Sequence, residues 1–325
     1  MRVHLRLTVP YSGVTFFRLI TRLGVLVALI IVFDTGTPLK AETNFAPPGM
    51  MYSVFDTELH LICMGEGNPT VLLEAGLAGN YLDWTLTQPL IGSRHRVCAY
   101  DRAGAGFSGA TSRSRTAEHI TDELHELVGK ANIPTPFILV GHSFGGMMSL
   151  HYARRFPADV AGLLLLDPMH PDQFERFSKA GVDVPTEPNL ILGRTASFAA
   201  TYALPKSLHA LAMYLAGGDT ARIFMVKEMR WMVLDAAEVK MFGYPRLPSR
   251  IVLHGNREWD GSHPDGRMEK AWFDMHSDLT EAIGAPPPVV VIESGHQIAL
   301  DAPEAVASSV EDLATQIIAQ TATRQ

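Results

Sequence analysis

Ser143 stands in Gly141-His142-Ser143-Phe144-Gly145, directly after the apolar run Phe137-Ile138-Leu139-Val140 and before a stretch of helical character, residues 146–156. Four apolar residues with a β-branched bias read as a buried strand. A residue on so sharp a strand-to-helix turn must take a strained backbone, and only very small residues two before and two after it leave room. Gly141 and Gly145 occupy those positions. The hydroxyl is then pushed out at the carboxyl end of a sheet, with the free N–H groups of a helix N-terminus beside it. The chemistry this suits is nucleophilic attack by an activated hydroxyl, which needs a base and an orienting carboxylate from elsewhere in the chain. A glycine-rich connection with an incidental serine is the plain alternative; the strand before it and the helix after it favour the nucleophile.

Among thirteen histidines, His296 is the candidate base. It follows the last apolar strand, residues 289–292, in Ser294-Gly295-His296, on a loop expected at the same sheet edge as Ser143. His142 adjoins the nucleophile but should point along the turn and pack. His170 comes just after a strand end, where it could line a pocket. His254 reads as buried in its own strand. Charge that develops on a substrate oxygen needs preorganised donors. The backbone N–H of Phe144 is one candidate, and that of Leu77, beside Gly76 in the loop after the strand at 70–73, is the other.

The elements that must position these groups alternate. Strands are expected around Asp56-Thr57 (residues 51–63), at 70–73, 96–100, 137–140, 161–166, 250–255 and 289–292. Helices are expected at 84–91, at 116–131 with Thr116 as N-cap, at 269–283 and at 303–319. Such alternation indicates a doubly wound, mostly parallel sheet with helices on both faces. Residues 169–249 break it. They offer no clear strand but helical stretches around 196–204, 207–216 and 221–240, rich in methionine (Met213, Met225, Met229, Met232, Met241). This reads as a helical cap over the sheet, its methionines mostly cap core and in part an adaptable apolar lining.

The chain has 325 residues, 47% hydrophobic and 19% charged, with a net charge of −7, so one sizeable domain with extras is expected and nucleic acid is not an expected partner. Residues 1–22 carry four arginines and no acid, and residues 23–33 are an unbroken apolar run. The run is shorter than the ~20 residues a membrane span needs. Residues 1–41 are therefore expected to be a signal peptide or an N-terminal membrane anchor, with 42–50 a linker and 51–325 the folded domain. Export to the periplasm or beyond, or anchoring in the inner membrane, follows. Two cysteines cannot make a zinc site by themselves.

The chain resembles the α/β-hydrolase fold family, from about residue 52 to the end. Four stretches carry the likeness: Leu73-Glu74-Ala75-Gly76, the Ala99 to Ser108 stretch with Asp101-Arg102-Ala103-Gly104, Gly141 to Gly146, and Asp167-Pro168-Met169-His170-Pro171-Asp172-Gln173. They are closest to an exported or membrane-anchored bacterial subgroup. The resemblance implies an eight-stranded α/β-hydrolase sheet with an inserted cap, and the order nucleophile, acid, histidine, which His296 closes. The acid is implied a few residues past the strand ending at Gly255, where Glu258 stands in place of the commoner Asp; Asp260 and Asp167 are the alternatives, Asp167 reading first as turn chemistry with Pro168. It also makes the strands of Cys63 and Cys98 neighbours, which an exported chain could bridge; two buried thiols are the alternative. The implied activity is a cofactor-free, metal-free serine esterase acting on a small, apolar ester. A perhydrolase or haloperoxidase-like activity, amide cleavage, or a non-catalytic binding protein of the same fold are the alternatives. Oligomeric state is not encoded in any feature above.

Overall fold

A computed structural model describes residues 45–182, 204–258 and 265–322. The N-terminal apolar run, the helical stretch at 196–203 and Asp260 lie outside them. Among the described residues, no helix is long and apolar enough to cross a membrane.

The strands are β1 (Met50–Val54), β2 (Thr57–Met64), β3 (Val71–Glu74), β4 (Val97–Tyr100), β5 (Phe137–His142), β6 (Val160–Leu166), β7 (Ser249–His254) and β8 (Val289–Val291). They form one sheet in the spatial order β1-β2-β4-β3-β5-β6-β7-β8. β2 runs antiparallel to both β1 and β4, and every other pairing is parallel. The expected mostly parallel eight-stranded sheet is therefore present. The helices are α1 (Thr87–Gly92), α2 (Ala117–Lys130), α3 (Phe144–Arg155), α4 (Gln173–Lys179), α5 (His209–Gly217), α6 (Asp219–Phe242), α7 (Arg267–Ile283), α8 (Ile298–Asp301) and α9 (Pro303–Ala322). Thr116 caps α2 as expected, its hydroxyl accepting the His119 N–H at 3.3 Å.

The side-chain alternation of the central strands divides the core. Leu72, Leu139, Leu163, Leu165, Ile251 and Leu253 pack with α2, α3 and α7 on one face. Val71, Leu73, Ile138, Val140, Leu164, Leu166 and Val252 pack with α1, α8 and α9 on the other. Strands buried on both faces read as continuous apolar runs, which is why β5 and β6 are legible in the sequence. Cys63 and Cys98 face each other across β2 and β4 and are joined by a disulfide.

Between β6 and β7 the described residues are helix and loop. The methionines there divide: Met225 and Met229 are buried, whereas Met213 and Met241 are exposed, so the stripe is only partly cap core. The second half of α6 is more than a lid. Ala236 and Val239 join the core cluster of α2 and α3, and the Asp235 carboxylate accepts the Ala117 N–H at the start of α2 at 2.8 Å.

Asp235 has no partner for its second oxygen among the described residues, and burial pushes its carboxyl up to about 8. The folded protein thus keeps a proton that the unfolded chain releases near the ordinary value of about 3.9. Stability from this group is full below that value and is lost as pH rises towards 8. Asp235→Asn keeps the acceptor for Ala117 and does not titrate. Its melting temperature relative to wild type should climb between about pH 5 and about pH 8, by on the order of 2 kcal/mol of relative stability. Parallel pH curves for the two proteins would contradict this.

Candidate active site

Parallel order places the carboxyl ends of β3, β5, β6, β7 and β8 along one edge of the sheet. The loops that leave these ends carry Leu77, Ser143, Asp167, Glu258 and His296. Ser143 sits between β5 and α3 with φ 51° and ψ −121°, the strained turn its flanking glycines imply. A Cβ on Gly145 would lie 2.3 Å from the Ala75 carbonyl oxygen, and one on Gly141 would lie 2.6 Å from the Gly145 carbonyl oxygen. These are backbone atoms that cannot swing aside, so both positions admit only glycine in this turn. The Ser143 N–H donates to the Leu166 carbonyl at 3.0 Å, and its carbonyl accepts the Met169 N–H at 2.8 Å, which ties the elbow to the end of β6.

The Ser143 Oγ lies 3.0 Å from His296 Nε2. The other imidazole nitrogen, Nδ1, donates to Asp167 Oδ2 at 2.5 Å. Asp167 also has a positive φ, 44°, which turns its side chain back over the sheet edge directly after β6. The carboxylate that meets the ring is therefore Asp167, and the expectation of Glu258 is corrected. Glu258 accepts the backbone N–H of His296 at 2.7 Å and supports the loop rather than the ring. The physical reason is how the two loops face the ring: Asp167, at positive φ directly after β6, meets Nδ1, whereas the Glu258 carboxylate is engaged by the backbone of the His296 loop.

Asp167 is fully buried, and a buried carboxylate is costly unless its oxygens are paired. Oδ2 accepts a second imidazole N–H, from His254 Nδ1 at 2.6 Å, and Oδ1 accepts Trp272 Nε1–H at 2.9 Å. Burial alone would make it a weaker acid, but the His254 and His296 hydrogen bonds outweigh that and hold the carboxyl far below the ordinary range. Asp167, His254 and His296 are the one group of metal-ligand type among the described residues. Their facing atoms are spaced as hydrogen bonds, so protons occupy the positions a cation would need.

His142 is buried, as the turn geometry suggested. Its Nε2–H donates to the His296 carbonyl at 2.8 Å, and burial, with the His296 charge, pushes it down to about 3. It is a neutral strap on the His296 loop. His170 is also buried. Its Nδ1 accepts the Asp172 N–H at 3.0 Å, and burial, then the His276 charge, push it down to about 4. The structure places it against His276 and brings it into no hydrogen bond with Ser143, Asp167 or His296 among the described residues.

The Phe144 N–H is the first of α3 and so has no acceptor within the helix. Gly76 lets the β3 loop approach the elbow closely: a Cβ there would lie 2.9 Å from His142 Nδ1 and 3.5 Å from Ser143 Cβ. Buried Arg102 fixes that loop. Its guanidinium donates to the carbonyls of Ala75 and Gly76 and to Glu74, each at 2.6 Å, and to Glu228 of α6 at 2.6 and 3.0 Å. Thus the segment that carries Leu77 is clamped between sheet and cap. Leu77, Ser143 and His296 remain partly exposed in this otherwise buried setting, so a ligand can reach them. Trp272, Arg102 and Glu228 are site residues that sequence reasoning missed, although Arg102 lies in a stretch singled out there. His254 is buried in its strand as expected, but its contact with Asp167 was not foreseen.

The arrangement fits what comparison with known proteins finds. The sequence profile of the α/β-hydrolase fold matches residues 69–219. The chain has the α/β-hydrolase fold. A stretch of 104 residues is 33% identical to the uncharacterized protein YqjL of Bacillus subtilis, covering 32% of this chain and 41% of that one. Over 99 residues the chain is 36% identical to a Pantoea ananatis protein provisionally named carbamate hydrolase RutD, covering 30% and 36%. The matched part is thus well under half the length of these relatives. The crystal structure of the Vigna radiata epoxide hydrolase VrEH1 superposes on this chain with a TM-score of 0.65 at 14% identity, covering 82% of this chain and 97% of that one.

Two substitutions separate the carboxylates. Asp167→Asn should slow modification of Ser143 by a fluorophosphonate by roughly 10³–10⁴, the scale of losing the orienting acid of a triad. Glu258→Gln, which keeps an acceptor for the His296 N–H, should slow it by less than about tenfold. The reverse ranking would show that Glu258 serves the ring.

Proposed function

We propose that this α/β-hydrolase is a serine hydrolase that cleaves carboxylic esters through an acyl-enzyme. One observation carries the reading: an Oγ on a strained elbow, 3.0 Å from an imidazole nitrogen whose partner nitrogen is held by a buried, ionised Asp167. Ser143 Oγ attacks the ester carbonyl carbon as His296 Nε2 takes its proton. The resulting oxyanion is held by the N–H groups of Phe144 and Leu77, and Asp167 stabilises the imidazolium. His296 then returns the proton to the departing alcohol. Water, deprotonated by His296, attacks the acyl-enzyme, and the acid leaves as Ser143 regains its proton.

The relatives support a hydrolase, and the provisional name of the Pantoea protein places carbamates beside esters in the panel to test. The methionine-bearing cap sequence supports a small, apolar substrate. We also place the folded domain outside the cytoplasm, on the basic and apolar N-terminal residues and the Cys63–Cys98 pairing, which suits an oxidising compartment. Alkylation of the denatured, unreduced protein from its native source should then label neither cysteine; labelling of both would remove that support.

Ser143→Ala should abolish turnover of a short-chain nitrophenyl ester, leaving at most the residual ~10³–10⁴ over water that binding and the oxyanion donors supply. Unchanged turnover by the purified variant would refute Ser143 as nucleophile.

A further inference from the structure

The acid of a serine triad needs one imidazole partner, yet Asp167 Oδ2 has two. His296 donates from one side at 2.5 Å and His254 from the other at 2.6 Å. His254 lies at the end of β7 and is fully buried. Its far nitrogen, Nε2, faces Glu269 Oε2 of α7 at 3.1 Å. Ser143, His296, Asp167, His254 and Glu269 therefore form one continuous chain of hydrogen bonds from the half-exposed nucleophile into the core. Trp272, one turn along α7 from Glu269, holds the remaining oxygen of Asp167.

The proton count along this chain is constrained. Both Nδ1 atoms must carry hydrogen, because both face the same carboxylate oxygen. The bond between His254 Nε2 and Glu269 needs one more proton. It makes His254 an imidazolium if it rests on the ring, or Glu269 a carboxylic acid if it rests on the oxygen. Burial works against the charged ring, but the hydrogen bond and charge of Asp167, with those of Glu269, lift His254 to about 9. The proton thus rests on His254 through the neutral range.

We propose that His254, backed by Glu269, is a positioning residue that holds the Asp167 carboxylate on His296. The proposal rests on the serine-hydrolase reading and adds a residue to it. Charged and titratable groups face His254 from each packed element: Asp167 after β6, Glu269 and His276 on α7, and His296 after β8. His276 faces the Trp272 and Pro168 carbonyls with its two ring nitrogens, each at 2.7 Å, and burial disfavours its charged form. Trp272 is neutral. Among these neighbours His254 is the one imidazole with a carboxylate at each ring nitrogen.

His254→Asn and His254→Phe test this. The Asn amide can keep a donor to Asp167 while removing the charge. Its kcat on a short-chain nitrophenyl ester should stay within about threefold of wild type, because the positioning hydrogen bond is kept. The Phe variant also loses the donor. Its kcat should fall by roughly 10–10², the usual cost of removing an orienting outer partner, with KM little changed. A kcat as low in the Asn variant as in the Phe variant, or a loss confined to KM, would overturn the proposal. If neither variant folds, a ¹⁵N-histidine titration of the wild-type protein decides. His254 should be protonated on both nitrogens through neutral pH and titrate near 9, whereas titration near the ordinary value of about 6.5 would overturn it. Fluorophosphonate labelling of Ser143 is the separate control. A labelled serine with an undiminished kcat in the Phe variant sinks only the His254 role, and an unlabelled serine sinks the hydrolase reading itself.

Discussion

A single buried carboxylate is the constraint around which the functional edge is built. Asp167 has no solvent to stabilise its charge, so the protein must supply donors, and an unpaired ion in that position would cost several kcal/mol. Three come from segments far apart in the chain: the end of β7, the middle of α7 and the loop after β8. Each donor is held by its own element, so the carboxylate cannot settle without β6, β7, β8 and α7 in register. The same condition fixes the imidazole of His296 at hydrogen-bond distance from Ser143.

A second clamp works from the opposite side. Arg102 gathers Glu74, two carbonyls of the β3 loop and Glu228 of α6 into one buried group. Because Glu228 belongs to the helix between β6 and β7, the cap is anchored to the loop that carries Leu77. Buried ion pairs of this kind are weak evidence for stability, but they tolerate few alternative geometries. The oxyanion loop and the cap are thus positioned together.

Much of this was legible from residues alone. The elbow could be read because the turn requires small residues on both sides of Ser143, and Gly141 and Gly145 stand there. β5 and β6 could be read because strands buried on both faces are apolar throughout. His296 could be placed because it follows the last strand at the same edge. The acid could not. Asp167-Pro168 looks like an ordinary turn, and Glu258 occupies the commoner post-β7 position; which of them meets the imidazole depends on how the loop ends face the ring, a tertiary fact. His254 and Trp272 show the same limit. One is a polar residue at the end of an apolar strand, the other an aromatic on an amphipathic helix, and both look like core until the carboxylate they serve is located.

The central claim is that one buried Asp167 oxygen accepts from two imidazoles, one of which serves Ser143. Proton NMR of the ¹⁵N-histidine-labelled protein reads this most directly. Two strongly deshielded, exchange-protected Nδ1 protons, assigned to His254 and His296, are the predicted result. A His296 Nδ1 proton that exchanges freely with solvent, or one whose resonance follows substitution of Glu258, would contradict it.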